Sequence, residues 1–168
     1  MSVFESLAQN RAARRGTVEL AVADAISALP MLEALTRLHR ARWERRGESG
    51  ILADPRVLRF HRDAVPRLLG AGLLRMIELR IAEHTVGVYY GLQHRDRAYG
   101  YLIGFDPDYE FESPGTILLQ HAIAIAIADG AREFHFLRGQ ESYKYRWGAV
   151  DRWNRRRVFW RAGGHAEG

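Results

Sequence analysis

Between Leu73 and Phe105 the chain alternates apolar and polar residues in three successive segments, LLRMIELRIA, TVGVYYGLQH and AYGYLIGFD. A period of two over this length specifies strands, and the short HRDR connection between the last two specifies an antiparallel hairpin. The first strand should place Ile77, Leu79 and Ile81 on one face and Met76, Glu78 and Arg80 on the other. The second should collect Val86, Val88, Tyr90 and Leu92 on one face. The third should set Tyr99, Tyr101, Ile103 and Phe105 opposite Gly100, Leu102 and Gly104.

On either side of this block the period changes. TVELAVA (17–23) reads as a short edge strand. Leu32, Leu35, Leu38 and Trp43 then recur at helical spacing in a run that stops at Gly47. GESGILADP is a loop by its Gly and Pro content. A second helix over 56–69 carries Val57, Phe60, Val65 and Leu68, and Pro66 is expected to kink or divide it.

SPGTILLQHAIAIAIADGA is read as a helix, although its Ala/Ile alternation at 122–128 also suits a strand. It is too long for a typical strand. Ser113 would cap it, Pro114 would stand in its first turn and Gly130 would end it. Being apolar around most of its circumference, it is expected to be buried. EFHFL (133–137) and RRRVFWRA (155–162) follow as strands. The fold class is therefore α/β (α+β), a mixed, mostly antiparallel sheet flanked by helices. The expected division is a basic segment over 1–16 (a helix or a linker), one domain over 17–162 and a flexible tail over 163–168.

The 168 residues suit one domain, and 47% apolar with 27% charged residues is a globular composition. No cysteine is present, which excludes disulfides, thiolate zinc sites and a cysteine nucleophile and fits a reducing, cytoplasmic setting. No apolar stretch has membrane-spanning length. The seven histidines are scattered without metal-ligand spacing, so no metal site is expected. A net charge of +5 attracts anions, whether nucleic acid, phosphorylated cofactors or anionic lipid. RAARRG and DRWNRRR, with aromatics nearby, suggest a basic nucleic-acid-binding module as one alternative, though no specific nucleic-acid motif accompanies them.

Two stretches carry candidate chemistry. Ser113-Pro114-Gly115-Thr116 opens the apolar helix, where free backbone N–H groups and the helix dipole suit a phosphate. It also reads as an ordinary capped helix start. The second is FLRGQESYKYRWG (136–148), which holds the single lysine among 25 basic residues. Lys144 suits a phosphate contact, a salt bridge to Glu141 three residues earlier if the stretch is helical, or tuning of Tyr143. It also reads as one exposed lysine. Arg138 stands at a strand end, where ligands of open α/β sheets gather.

YLIGFDPDY, SPGTILL and FHFLRGQESYKYRWG resemble the acetyltransferases associated with bacterial cellulose and exopolysaccharide biosynthesis. These are a branch of the GNAT superfamily related to the aminoacyl transferases that build peptidoglycan bridges. LHRARWERRGESGI resembles the segment that opens the family's transferase domain, and the likeness spans about residues 36–161. It implies transfer from acetyl-CoA or another acyl-CoA to a small amine or amino sugar. The CoA would lie between two splayed parallel strands, 98–106 and 133–137, with its diphosphate at the turn 112–116. Only Pro114-Gly115-Thr116 stands where the superfamily loop carries spaced glycines.

On this reading Leu102, Ile103, Gly104, Ser113, Gly115, Thr116 and Lys144 contact the cofactor. Glu141 and Asp106 are candidates for taking the amine proton, and Asp106 also reads as a turn cap. Tyr143 would protonate the departing thiolate. Arg138, Tyr101 and Trp147 would meet the acceptor. The family commonly carries another domain before this one, so the chain is read as a stand-alone half, a fragment, or a half completed as a homodimer. A transferase using aminoacyl-tRNA and a catalytically degenerate partner domain are further alternatives.

Overall fold

The computed structural model describes residues 3–153 and 155–159, in two compact units, one ending at Leu137 and the other starting at Arg138. The first unit runs α1 (Val3–Arg15), β1 (Val18–Val22), α2 (Ala28–Glu44), a 3₁₀ turn (Ile51–Ala53), α3 (Pro55–Gly70), β2 (Leu74–Ile81), β3 (His84–His94) and β4 (Arg97–Phe105). A second 3₁₀ segment (Pro107–Glu112), α4 (Pro114–Ala128) and β5 (Glu133–His135) complete it. The five strands form one sheet in chain order. Neighbours are antiparallel except β4 and β5, which are parallel.

Two cores cover the two faces. On one, Met31, Leu32, Leu35 and Leu38 of α2 and Val65 of α3 pack on Leu74, Met76, Val88 and Tyr90. On the other, Ala8 and Ala12 of α1 and Ile117, Leu118 and Ala122 of α4 pack on Ile77, Leu79, Ile81, Val86 and Tyr89. The basic start is thus a helix with a core face. Its Arg11 lies over Phe111 and its Arg15 over Tyr109, and Arg15 also pairs with the buried Glu112 at 3.3 Å. Asp54 starts α3 by accepting the Arg56 N–H at 2.8 Å with Pro55 in the first turn. The helix continues through Pro66 to Gly70 without dividing.

The alternation read for β2 holds, but two expected faces do not. The β2–β3 register slips between Leu79 and Arg80, making Val86 an extra residue on β3. Val86 therefore joins the α1/α4 core instead of siding with Val88 and Tyr90. The β3–β4 register slips between Tyr90 and Gly91, and here Tyr101 is the extra residue. Such a bulge reverses the pleat. Ile103 packs in the α1/α4 core, whereas Tyr101 lies against Tyr90 and against His61 of α3.

Three further expectations are corrected. The α4 helix is buried on one side only, with Ile127 68% exposed, because it covers the sheet with one face. The final strand does not form over 155–159, and its remainder, like the tail 163–168, lies outside the described residues. The strand expected at 133–137 contracts to three residues.

In the second unit, α5 (Ser142–Arg146) is a short helix between irregular segments. Trp153 is 92% exposed there. No described helix is long and apolar enough to cross a membrane.

Candidate active site

β4 and β5 pair over three residues, Arg97 to Tyr99 with Glu133 to His135. β4 then continues to Phe105 with β3 on one side and no strand on the other among the described residues. Asp106 N–H donates to Val86 C=O at 2.9 Å, so the alternation of an antiparallel ladder turns Gly104 and Leu102 toward β3. The peptide groups of Ile103 and Phe105 then face the open edge. Of the three residues expected to present backbone to a cofactor, Ile103 has that orientation. Gly104 serves packing instead: a Cβ there would stand 2.9 Å from Leu35 Cδ1 and 3.1 Å from the Leu35 carbonyl oxygen and the His39 nitrogen.

The start of α4 differs from the cap read in the sequence. Ser113 takes a left-handed backbone (φ 54°, ψ 53°), and its side chain caps nothing. Its carbonyl accepts from Thr116 N–H at 2.9 Å and Ile117 N–H at 3.3 Å. Space remains over Gly115, where an added Cβ would meet only the Phe105 ring, at 3.6 Å. Asp106 does act as a cap, its Oδ1 accepting the Asp108 N–H at 2.9 Å.

On the α3 side of β4 an open cleft of about 440 Å³ is lined by Ile51, Val57, Phe60, His61 and Tyr101 together with the charged pair Asp54 and Arg56. His61 is 2% exposed. Its Nε2 lies 3.3 Å from the Tyr101 hydroxyl, and its Nδ1 has no partner. His61 and Phe60 were missed in the sequence. The signal was the spacing of four from Val57 to His61 to Val65, which sets the imidazole on the buried face of α3.

Burial holds the His61 imidazole below its ordinary value of 6.5. Burial, then Arg42, does the same for His39, whose Nε2 accepts the Trp43 indole N–H at 2.9 Å. The unfolded chain therefore takes up protons below about pH 6.5 that the folded chain refuses, so stability falls as pH falls. The melting temperature should be level above pH 7.5 and decline from about pH 6.5 to 5. A level profile across that range would contradict the neutral, buried state of both rings.

The second unit gathers the other candidates. The Lys144 side chain is 6% exposed. Its ammonium donates to the Arg138 carbonyl at 2.6 Å, the Gly139 carbonyl at 3.2 Å and Glu141 Oε2 at 2.9 Å. The salt bridge to Glu141 is present at i,i+3 spacing, and three acceptors meet three ammonium donors, leaving none for a phosphate. Lys144 is thus neither an exposed lysine nor placed as a cofactor ligand. Its hydrogen bond holds the Glu141 carboxyl below its ordinary range, which makes Glu141 a weaker proton acceptor. Tyr143 is 37% exposed, Arg138 is exposed and Trp147 half-buried. The Tyr145 hydroxyl donates to Asp151 at 3.0 Å. Among the described residues no three His, Asp or Glu side chains gather to hold a metal.

The chain resembles several solved structures in fold. One is an aminoglycoside acetyltransferase from an uncultured soil metagenomic sample in complex with sisomicin. It shares 15% identity over 86% of this chain and 97% of that one, with a TM-score of 0.59. Another is a predicted acetyltransferase with acetyl-CoA from Clostridium acetobutylicum, at 12% identity over 83% and 95%, with a TM-score of 0.58. An N-acetyltransferase from Thermoplasma acidophilum in complex with coenzyme A shares 16% over 79% and 86%, with a TM-score of 0.58. No curated protein sequence matches the chain. The family model described as "Acetyltransferase (GNAT) domain" matches residues 7–145. This match spans most of the sequence, and the chain belongs to the GNAT acetyltransferase family.

Proposed function

We propose that the protein is an acyl-CoA-dependent N-acyltransferase, with acetyl as the transferred group and a small amine or amino sugar as acceptor. The observation that carries this reading is the edge of β4 left without a strand beyond Tyr99, where β5 ends, together with the start of α4 against Phe105 at the end of β4. The open edge at Ile103 and Phe105 offers peptide donors and acceptors to an extended, amide-bearing arm. Bound there, acyl-CoA supplies an activated thioester. The Ile103 N–H suits a carbonyl oxygen that gains negative charge during attack.

The diphosphate end has fewer donors than the resemblance implies, since Ser113 C=O engages the Thr116 and Ile117 N–H groups. Gly115 N–H, on a residue where an added Cβ would touch only the Phe105 ring, and the Arg11 guanidinium, which donates to Phe111 C=O at 3.3 Å, are the groups suited to phosphate. The resemblance of residues 36–161 to the exopolysaccharide-associated branch supports an amino sugar among the acceptors.

For proton transfer, Tyr143 remains the candidate acid toward the thiolate. Asp106 and Glu141 are each committed to a structural partner and are the weaker candidates for the base. In a free-thiol assay with acetyl-CoA and a panel of amines, thiol release should require an amine. Both acetyl-CoA and CoA should raise the melting temperature. Tyr143→Phe should lower kcat about 100-fold with the melting temperature unchanged. Wild-type turnover in that variant would remove Tyr143 from the chemistry, and the absence of any thermal shift would remove CoA.

A further inference from the structure

The cleft between α3 and the bulge of β4 has the size of a small-molecule site, whose usual range is about 300–1,000 Å³. Its walls are largely apolar and unusually exposed for such residues: Phe60 is 64% and Ile51 53% exposed. Tyr101 enters it because the bulge turns that side chain toward α3. The Phe60 ring stands edge-on to His61, with centroids 5.2 Å apart, and Tyr101 is tilted against His61 at 5.5 Å.

The polar groups of the cleft are few and largely occupied. Asp54 accepts from Arg56 through both carboxylate oxygens, at 3.4 and 3.1 Å, besides capping α3. That pair cancels the formal charge of the lining. His61 is held neutral and bonded to Tyr101, and its buried Nδ1 is unpartnered.

From this lining we infer that the cleft is the acceptor site and takes a monoamine with a flat, apolar body, of the arylalkylamine class. The inference rests on the transferase reading and narrows its acceptor. A polycationic acceptor would need several unpaired carboxylates, and the cleft has one, already paired. A polyhydroxylated ring would need many polar partners, and burying hydroxyls without them is unfavourable. An aromatic body covers the exposed faces of Phe60 and Ile51, and the amine is directed to the Tyr101 hydroxyl. Tyr101 lies on the strand whose open edge is proposed for the acyl donor, so both substrates are served by β4. His61 acts here as a positioning residue for Tyr101.

The test is equilibrium binding of phenethylamine, glucosamine and kanamycin to the full chain by calorimetry, beside thiol release from acetyl-CoA with each amine. Phenethylamine should bind most tightly. Phe60→Ala removes an exposed side chain and leaves the fold intact, and it should weaken that binding about tenfold. Tyr101→Phe keeps the ring. It should weaken phenethylamine binding by about tenfold and lower kcat as well, a loss of kcat that Phe60→Ala should not share and that a merely structural role would not produce. Tighter binding of glucosamine or kanamycin, or unchanged affinity in Phe60→Ala, overturns the inference. Selective binding of phenethylamine without thiol release would overturn the transferase reading alone. Thiol release with an amine whose binding ignores Phe60 would overturn the cleft assignment alone.

Discussion

Gly104→Ala should cost about 1–3 kcal/mol and lower the melting temperature by roughly 5 °C, and Gly104→Val should leave little folded protein. In a strand, alanine normally gains about 0.5–1 kcal/mol over glycine, so a loss here reports a steric cause. That cause is α2. The added Cβ meets a Leu35 methyl, which can rotate aside, but also the Leu35 carbonyl oxygen and the His39 nitrogen, which cannot move without the helix. Gly100 is the control on the same strand. A Cβ there meets the Phe134 ring at 3.4 Å, an ordinary contact, and Gly100→Ala should stay within about 1 kcal/mol of the parent. If Gly104→Ala melts like the parent, α2 does not rest on β4 as described. If it melts lower yet binds CoA normally once folded, Gly104 is a packing residue and not a cofactor contact.

Lys144→Met should destabilise the 138–146 segment by about 2 kcal/mol, a net figure for the loss of several charge-assisted hydrogen bonds with Glu141 half open to water. The measurement is amide hydrogen exchange, expected to quicken about 30-fold in that segment and to stay unchanged in β2 and β3. Lys144→Arg should not rescue it. A guanidinium is a flat fork, whereas the two carbonyls and the carboxylate surround a point that a compact ammonium reaches with three separate donors. Parent-like exchange in both variants would mean that the segment is held by other contacts.

These residues show how far the sequence could be read. The helical stripe from Leu32 to Leu38 and the alternation of β2 were legible because each face of those elements meets one partner. The pairing of Lys144 with Glu141 was one of four readings of that stretch, legible only on condition that the stretch is helical, which it is over Ser142–Arg146. Val86 and Tyr101 were assigned to the wrong faces because a bulge adds one residue without any local mark, and everything beyond it changes side. That error hid the cleft, since Tyr101 was grouped with Ile103, which packs on the other face of the sheet. The two carbonyls that meet Lys144 were hidden for a similar reason. Gly139 takes φ 100°, and glycine permits that conformation without announcing it. The strand expected over 155–162 does not form at 155–159, where Val158 and Phe159 are exposed.

The setting of Lys144 bears on the protein's own chemical durability. Thioesters acylate accessible lysine amines without a catalyst, and such damage accumulates on any protein that dwells beside them. This chain bears its surface cations as guanidinium groups, which are never deprotonated near neutrality and do not react in this way. Its one side-chain amine is buried, with the side chain 6% exposed and the nitrogen surrounded by three oxygens that bar a thioester's approach. Prolonged incubation with a reactive thioester should therefore leave position 144 unmodified in the folded protein and label it only after unfolding.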